Sequence, residues 1–380
     1  MNWIALKMLT GDTGKYYALI CGVSFACLLI AEQSATFCGV MMRTTGLIRD
    51  IHGADIWVMN PNVRYLDDAK AISDDAVFRV RGVPGVSWAV NLYRGGGEAQ
   101  LANGNFQTVI LFGLDDASLT GAPTNMVVGR IGDLQNPDAI LVDEAGFKYM
   151  WPGEPLAVGK TLEMNSHRAV VSGIFKAAQT FSTNPIVYTR FSHAVLFVPP
   201  ATRMIPFVLA KSAPGTDAAV VARMINERTG LRAFSKPDFM WTTMMYYLAH
   251  TGVPINFGTT VILGFVIGCA VAGQTFYLFT VENLKQFGTL KAMGLSDRRL
   301  VAMILLQAFV VGGIGYGIGI GLATIYGIIA RKSFILLSFF LPWQVLVIAA
   351  IAIFFISLLA SVLCIRRVLV LEPAIVFQGG

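Results

Sequence analysis

One loop of this 380-residue chain has the composition of a nucleotide-binding site. Residues 153–161 are GEPLAVGKT and end in the Gly-Lys-Thr triplet of a phosphate-binding loop. In such a loop, GxxxxGK[ST], the first glycine must stand five residues before the second. Glu154 occupies that position, so this loop has one residue too many. We therefore predict a surface turn before a strand over Thr161 to Met164, and expect any ATP to be bound by another chain.

The histidines and cysteines suggest no catalytic or metal site. The four histidines are distant from one another in the sequence, and no CxxC pair exists; they are His52, His167, His193 and His250. Zinc sites need clustered ligands, which this spacing does not supply. The five cysteines all fall in apolar segments; they are Cys21, Cys27, Cys38, Cys269 and Cys364. A disulfide framework would need them in the polar part of the chain, so none is predicted.

Glu32 is an ionisable group within an apolar segment. Such a group costs about 2.5–3.5 kcal/mol at the centre of a bilayer and usually faces protein or water. At 1.5 Å per residue it lies roughly 24 Å beyond Tyr16, near the far headgroups, where that cost falls. Two interpretations stay open, a place on a substrate path and a solvated helix end. Gln274, in a later apolar segment, is interpreted as a helix–helix hydrogen-bonding group.

The segment from Val281 to Leu300, VENLKQFGTLKAMGLSDRRL, is a basic, helix-prone island between two long apolar stretches. Within it, Phe287, Leu290 and Met293 recur at a spacing of three and predict an apolar stripe flanked by lysines. A helix of this kind can dock in a groove of a soluble partner. The alternative is an interfacial helix whose lysines meet anionic lipid.

These residues must be positioned by membrane-spanning helices. Hydrophobic residues make up 55% of the chain and charged residues 14%, and the mean hydropathy is +0.61. We predict a polytopic α-helical membrane protein with four transmembrane helices and a large α+β extracytoplasmic domain between the first and the second. The predicted order is a cytoplasmic interfacial helix (1–15), a first span (16–42), the extracytoplasmic domain (43–254), a second span (255–280), a cytoplasmic coupling helix (281–299), a third span (300–330), an outer loop (331–342), a fourth span (343–365) and a cytoplasmic tail (366–380).

The orientation follows from the lysines and arginines near the span ends, because cytoplasmic loops retain positive charge. With the N-terminus inside, the inner flanks carry Lys7, Lys15, Lys285, Lys291, Arg298, Arg299, Arg366 and Arg367. The outer flanks carry only Arg43, Arg49, Arg331 and Lys332. The net charge of +6 therefore reflects membrane topology, and its scattered residues indicate no nucleic-acid partner.

The large domain has two similar ends. Near its start, Ala54 to Asn60 and Val86 to Tyr93 are predicted strands around a helix over Ser73 to Arg81, capped by Ser73 or Asp74. Near its end, the strands Pro206 to Ser212 and Leu231 to Ser235 flank a helix over Asp217 to Thr229 with Thr216 as its N-cap. These two β-α-β units bracket a β-rich insert at about 95–200.

Taken together, the segments resemble a known family. One span, a large outer domain, three spans and a short helix between the second and third spans resemble the permeases of MacB- and FtsX-type ABC transporters. The segment ENLKQFGTLKAMG, Glu282 to Gly294, is similar to the coupling helix of that family, and EPAIVFQ, Glu372 to Gln378, to its C-terminal ending. Motifs of the outer block occur in the order seen in DevC-like permeases of cyanobacterial glycolipid exporters; they are LFGLD (111–115), PDAILVDE (137–144), GKT (159–161) and VVSGIF (170–175).

The resemblance implies a homodimeric permease that works by mechanotransmission in the bacterial inner membrane. It implies a separate dimeric ATPase, which holds ATP and Mg, so no cofactor is expected in this chain. The implied ATPase-coupling residues are Glu282, Lys285, Phe287, Gly288, Thr289, Leu290, Lys291, Ala292, Met293 and Gly294. A DevC-like exporter would add a periplasmic membrane-fusion protein, an outer-membrane tunnel and a lipid or amphiphilic cargo. The alternatives are an FtsX-like regulator of cell-wall hydrolases, a lipoprotein-releasing permease and, least favoured, a membrane enzyme.

Overall fold

A computed structural model of the chain divides into two compact units. The membrane unit comprises residues 1–40 and 252–380, and the sheet domain comprises residues 41–251. The structure describes residues 2–178, 180–181, 184–200, 204–332 and 339–370. The predicted family-like ending at Glu372 to Gln378 and half of the predicted outer loop, 333–338, lie outside these residues.

The α-helices of the described chain are α1 (Asn2–Gly11), α2 (Thr13–Arg43), α3 (Gly46–Asp50), α4 (Ala76–Arg81), α5 (Glu144–Met150), α6 (Phe191–Leu196), α7 (Ala218–Thr229), α8 (Lys236–His250), α9 (Val253–Glu282), α10 (Leu284–Ala292), α11 (Asp297–Lys332) and α12 (Trp343–Leu369). The strands are β1 (Ile56–Met59), β2 (Val86–Leu101), β3 (Phe106–Leu114), β4 (Met126–Val128), β5 (Ala139–Asp143), β6 (Thr161–Met164), β7 (His167–Phe175), β8 (Ile186–Arg190), β9 (Phe207–Ser212) and β10 (Arg232–Ser235).

Four helices of the described chain are long and apolar enough to cross a membrane, namely α2, α9, α11 and α12. A helix needs about 20 apolar residues for this. They share one hydrophobic core that includes Val23 and Cys27 of α2, Phe276 of α9 and Ile356 of α12. The polar island does not form one helix over 281–299 as predicted, because α9 extends to Glu282 and α11 begins at Asp297.

The glycine-rich run of α11, Gly312 to Gly321, packs against helices of the same chain. A Cβ built at Gly319 would lie 2.5 Å from the Cβ of Cys27, and one at Gly315 would lie 2.7 Å from a Val23 methyl carbon. Both glycines therefore allow α11 to approach α2 closely. On the other side of α11, a Cβ at Gly317 would meet no described atom within 4 Å.

The sheet domain is built on two interleaved β-α-β units. β9 pairs with both β1 and β2, and β1 pairs with both β9 and β10, all antiparallel. The local strand order is therefore β10-β1-β9-β2, in which each unit places a strand between the two strands of the other. This is the split β-α-β arrangement of ferredoxin-like folds. Helices α4 and α7 cover one face through a core that includes Val80 and Val221.

β2 joins this part of the sheet to the β-rich insert. The sequence predicts that β2 ends at Tyr93, but the strand continues to Leu101. Its first half pairs with β9 and its second half, from Tyr93, pairs with β3. The insert thus extends the same sheet through β3, β8, β5, β7 and β4, and β6 pairs with β2 and β7.

Two helix caps differ from the prediction. Asp217, not Thr216, is the N-cap of α7, and its carboxylate accepts a hydrogen bond from the Ala219 N–H at 3.0 Å. The Thr216 hydroxyl instead donates to the Ala213 carbonyl. α4 begins only at Ala76 after Asp75, and neither Ser73 nor Asp74 caps it. Ser, Thr and Asp are all good N-cap residues, and at the start of each helix they stand next to one another. The local sequence therefore does not determine which of them is the N-cap.

Candidate coupling site

The candidate coupling site is α10 with the two turns that flank it. Asn283 separates α9 from α10, and its side-chain amide donates to the Phe279 carbonyl at 2.8 Å. After Ala292 the helix ends in a Schellman motif, in which the Gly294 N–H bonds the Lys291 carbonyl and the Leu295 N–H bonds the Leu290 carbonyl. Gly294 has a φ of +89°, a backbone conformation that favours glycine. Gly294 therefore terminates the helix.

The inner face of α10 packs into the core of the membrane unit. The Phe287 side chain is fully buried, and Leu284, Leu290 and Leu295 pack against the same core. The prediction that Phe287, Leu290 and Met293 form one docking stripe is wrong, because Met293 is 71% exposed while Phe287 is 0% exposed. Each step of three residues falls about 60° short of a full turn, so Met293 lies roughly 120° around the helix from Phe287.

The outer face of α10 is exposed and mainly polar. It carries Lys285, Gln286, Thr289 and Ala292, and Met293 continues it into the following turn. The Thr289 hydroxyl donates to the Lys285 carbonyl at 2.8 Å, so this side chain lies along the helix. We call these five residues the coupling face. Of the predicted coupling residues, the structure places Phe287 and Gly288 beneath this face.

Lysines hold both ends of the segment. The Lys15 ammonium forms ion pairs with Glu282, at the end of α9, and with Asp12. The hydrogen bond that the Lys15 ammonium donates to Asp12 holds the pKa of the Asp12 carboxyl below its usual range. At the other end, the Lys291 ammonium lies 3.1 Å from the Leu369 carbonyl oxygen and 3.1 Å from the Asp297 carboxylate. Lys291 therefore bonds to its own chain, whereas Lys285 faces outward.

The N-terminal helix α1 packs against α11 rather than lying free at an interface. Ala5 and Leu9 are fully buried, and the buried Gln307 amide of α11 donates to the Ala5 carbonyl at 2.8 Å. The opposite side of α1 lines a cleft of about 480 Å³ together with Glu282 and Gln286. Gln307 is not among the residues predicted from the sequence, although an amide within an apolar span is a signal for an interhelical hydrogen bond.

Glu32 and Gln274, the two span residues singled out from the sequence, form no hydrogen bond to another described helix. The Glu32 carboxylate accepts hydrogen bonds from the Gln33 amide at 2.7 Å and the Thr36 hydroxyl at 3.0 Å, both on α2. Gln274 is exposed on α9 and makes no interhelical hydrogen bond to any described residue, so Gln307 has the role predicted for Gln274.

The loop that resembles a phosphate site is a surface turn, as the spacing predicts. Lys160 forms an ion pair with Glu154, the residue that occupies the glycine position of the motif. The Gly159 N–H bonds the Val171 carbonyl at 2.7 Å, which leads the chain into β6. Among the residues that the structure describes, no group of His, Cys, Asp and Glu side chains is arranged to hold a metal ion.

Comparison with known proteins identifies the family. The family model of the MacB-like periplasmic core domain matches residues 36–228, which is 193 of the 380 residues. The model of the FtsX-like permease C-terminal region matches residues 255–373, which contain α10. The chain belongs to the MacB/FtsX-type permeases of ABC transporters. The predicted family, four-helix membrane architecture and α+β domain are thereby confirmed.

Individual relatives of this MacB/FtsX-type permease share only part of its sequence. An uncharacterized ABC transporter permease of Mycobacterium tuberculosis is 33% identical over 125 residues, or 31% of this chain and 32% of that protein. The chain thus matches about a third of the length of such curated relatives.

Two solved structures are similar to about half of the chain. The periplasmic region of MacB from Actinobacillus actinomycetemcomitans is 16% identical, with a TM-score of 0.38 over 51% of this chain and 94% of that one. The extracellular domain of the noncanonic ABC-type transporter YknZ from Gram-positive bacteria is 15% identical, with a TM-score of 0.36 over 48% of this chain and 100% of that one.

Proposed function

We propose that this permease is the transmembrane subunit of an ABC exporter that works by mechanotransmission. A separate ATPase dimer binds ATP and Mg, and its closure moves two copies of the permease. The permease itself has no ATPase site in this proposal, because its one near-match to a phosphate loop has the wrong spacing and a Glu154–Lys160 ion pair.

The observation that carries the proposal is the division of α10 into a buried face and an exposed face. Phe287 fixes the helix in the membrane unit, and Lys15 and Lys291 bind its two flanks. A partner that pushes on the coupling face therefore pushes on several membrane helices at once. A surface that transmits force needs such a rigid base, since a loosely attached helix would move alone.

The burial of Phe287 also argues against the alternative of a helix lying in lipid headgroups. Interfacial helices place a large apolar face in the acyl boundary. In α10 the apolar face is occupied by the core of the protein, and the outer face is mainly polar. This surface fits a water-exposed protein partner better than a membrane.

We further propose that the sheet domain lies outside the cytoplasm and moves a lipid or other amphiphile. The bias of lysines and arginines toward one set of span ends supports this orientation. The resemblance to DevC-like permeases supports a membrane-fusion protein and an outer-membrane tunnel as further partners. On such a path Glu32 would be a polar contact near the outer membrane surface.

The docking proposal is tested by the affinity of the purified permease for the ATPase that couples to it in cells. Lys285→Glu reverses an exposed charge of the coupling face without touching the core. We expect the dissociation constant to rise about tenfold, which corresponds to about 1.4 kcal/mol. Lys211→Glu, a change at a half-exposed lysine of the sheet domain, is the matched control and should leave the constant unchanged. Equal affinities for the parent and Lys285→Glu would contradict docking at this face.

The class of exporter is tested by depleting the permease from cells. Accumulation of an amphiphile in the inner membrane supports the proposed export. Retention of acylated proteins would favour a lipoprotein-releasing permease. Co-purification with a cell-wall hydrolase, without an export defect, would favour an FtsX-like regulator.

A further inference from the structure

Lys236, the first residue of α8, bonds to the end of a different helix. Its ammonium group donates to the Ile51 carbonyl at 2.7 Å and to the Arg49 carbonyl at 3.0 Å. These carbonyls belong to the C-terminal end of α3, where helical carbonyls lack N–H partners within their own helix. A cation at this end also meets the negative end of the helix dipole. Lys236 thus fastens the start of α8 to the end of α3.

α3 is in turn fastened to the last turn of α2. The Arg49 guanidinium donates to the Met42 carbonyl at 3.1 Å, and the Thr45 hydroxyl donates to the same carbonyl at 3.1 Å. The Thr44 hydroxyl bonds the Met41 carbonyl at 2.6 Å. A continuous series of hydrogen bonds therefore runs from the end of α2, through α3, to the first turn of α8.

The surroundings of this junction are tightly packed. Ile48, Ile51 and Phe239 are fully buried in one core of the sheet domain. The Asp50 carboxylate accepts a hydrogen bond from the Ala178 N–H, and burial raises the pKa of Asp50 and lowers the pKa of Lys236. Partly desolvated charges are costly unless they are bonded, and here both groups have partners.

The chain passes between the membrane unit and the sheet domain twice. The first span, α2, leads into α3, and two residues separate the end of α8 from the start of α9. Movement of the spans can therefore reach the sheet domain along the chain only through α2 and α3 or through α9 and α8.

We propose that Lys236 is a positioning residue that joins these two connections, so that the sheet domain receives movement of the spans as one body. This inference rests on the proposed mechanotransmission. Without the Lys236 hydrogen bonds, α3 and α8 would move independently of each other. The sheet domain would then receive only part of the movement of the spans.

The test measures hydrogen exchange in the full-length permease, alone and with its ATPase. Lys236→Met removes both hydrogen bonds and retains most of the aliphatic stem, whereas Lys236→Arg retains donors. Lys211→Met is the matched control, because Lys211 is a lysine of the same domain that makes a 3.4 Å surface pair with Asp55. In the permease alone, we expect exchange at residues 47–52 to be about tenfold faster in Lys236→Met, and unchanged in the control.

With the ATPase present, the readout is the change in exchange of the sheet domain when ATP is added. We expect Lys236→Met to lose at least about half of that change while the affinity for the ATPase stays at the parent value, and Lys236→Arg to restore it. A purely structural role would accelerate exchange but leave the response to ATP intact, which would overturn the proposal. Unchanged exchange at residues 47–52 in Lys236→Met would also overturn it.

These outcomes separate this inference from the proposed function. If ATP causes no change in the parent complex, mechanotransmission fails and the positioning role fails with it. If the parent responds and Lys236→Met responds equally, only the role of Lys236 fails.

Discussion

The Lys291 ammonium lies 3.1 Å from the Leu369 carbonyl oxygen, which joins the last turn of α10 to the last turn of α12. The same ammonium is 3.1 Å from the Asp297 carboxylate in the first turn of α11. One side chain thus holds three helix ends together. The resemblance to family coupling helices implies a contact with the ATPase for Lys291, but its bonds indicate that it supports the coupling face from below.

Replacing Lys291 should loosen α10 without removing an ATPase contact. In Lys291→Met, the loss of a charged hydrogen bond at a partly exposed site is expected to cost about 1 kcal/mol locally. Hydrogen exchange at residues 284–292 of the permease alone should become roughly fivefold faster. Lys285→Met, which changes an exposed lysine of the same helix, should leave exchange unchanged. Identical exchange in the two variants would contradict the supporting role.

The glycines of α11 provide a matched pair for testing helix packing. Gly319→Ala places a Cβ 2.5 Å from the Cys27 Cβ and 2.8 Å from the Ser24 carbonyl oxygen, so α2 and α11 must separate. We expect a loss of about 1–3 kcal/mol, measured as a lower midpoint of thermal unfolding in detergent. Gly317→Ala meets no described atom within 4 Å and should be neutral. A larger loss from Gly317→Ala would show that the glycines pack differently.

His193 should make the sheet domain less stable as the solution is acidified. Burial, and then the nearby Arg190 guanidinium, lower the pKa of His193. Its Nε2 lies 3.3 Å from an Arg190 nitrogen, and accepts a hydrogen bond only when the imidazole is neutral. The pKa of His193 is lower in the folded protein than in the unfolded chain, where it is about 6.5. The contribution of neutral His193 to the free energy of unfolding is therefore fully present above the unfolded pKa. It is lost as the pH falls through the folded pKa.

The measurement is the urea concentration at which half of the sheet domain is unfolded. Unfolding is detected by protease cleavage, at a series of pH values between neutral and mildly acidic. His193→Gln cannot titrate and should reduce the fall in the midpoint. Asp116 and Asp138 act on the His193 pKa in the opposite direction, so the effect is modest. Equal falls in the parent and the variant would assign the pH dependence to other groups.

The orientation of the chain is tested by labelling two exposed serines. In a cysteine-free background, Ser118→Cys lies in the sheet domain and Ser296→Cys lies between α10 and α11. An impermeant maleimide added to intact cells should modify only the first, because the coupling segment is expected in the cytoplasm. The reverse pattern would invert the proposed topology.

The sequence predicts the helices and strands better than it predicts their partners. Long apolar runs determine the spans, since a bilayer requires about 20 such residues. Local periodicity likewise finds both β-α-β units. Their interleaving is not visible in the sequence, because the pairing of Trp57 in β1 with Leu209 in β9 joins positions that are far apart in the chain.

At the coupling site, too, the sequence predicts the helix but not the contacts of that helix. The sequence places a short basic helix between two spans, but the prediction of one helix over 281–299 misses its end at Ala292 and the turn at Gly294. Which side of that helix is buried could not be predicted, since Phe287 and Met293 are both apolar and a nine-residue helix has little periodicity. The Lys15–Glu282 and Lys291–Leu369 contacts join segments that are far apart in the chain, and the sequence carries no local signal for them.

The most direct test of the account is photo-crosslinking from the coupling face in the assembled complex. A photoreactive side chain at Thr289, which is exposed on α10, should crosslink to the ATPase. The same group at Ser118, in the sheet domain, should give no ATPase adduct. Absence of an adduct from Thr289 in a complex that still hydrolyses ATP, or an equal yield from Ser118, would contradict the assignment of α10 as the helix that the ATPase moves.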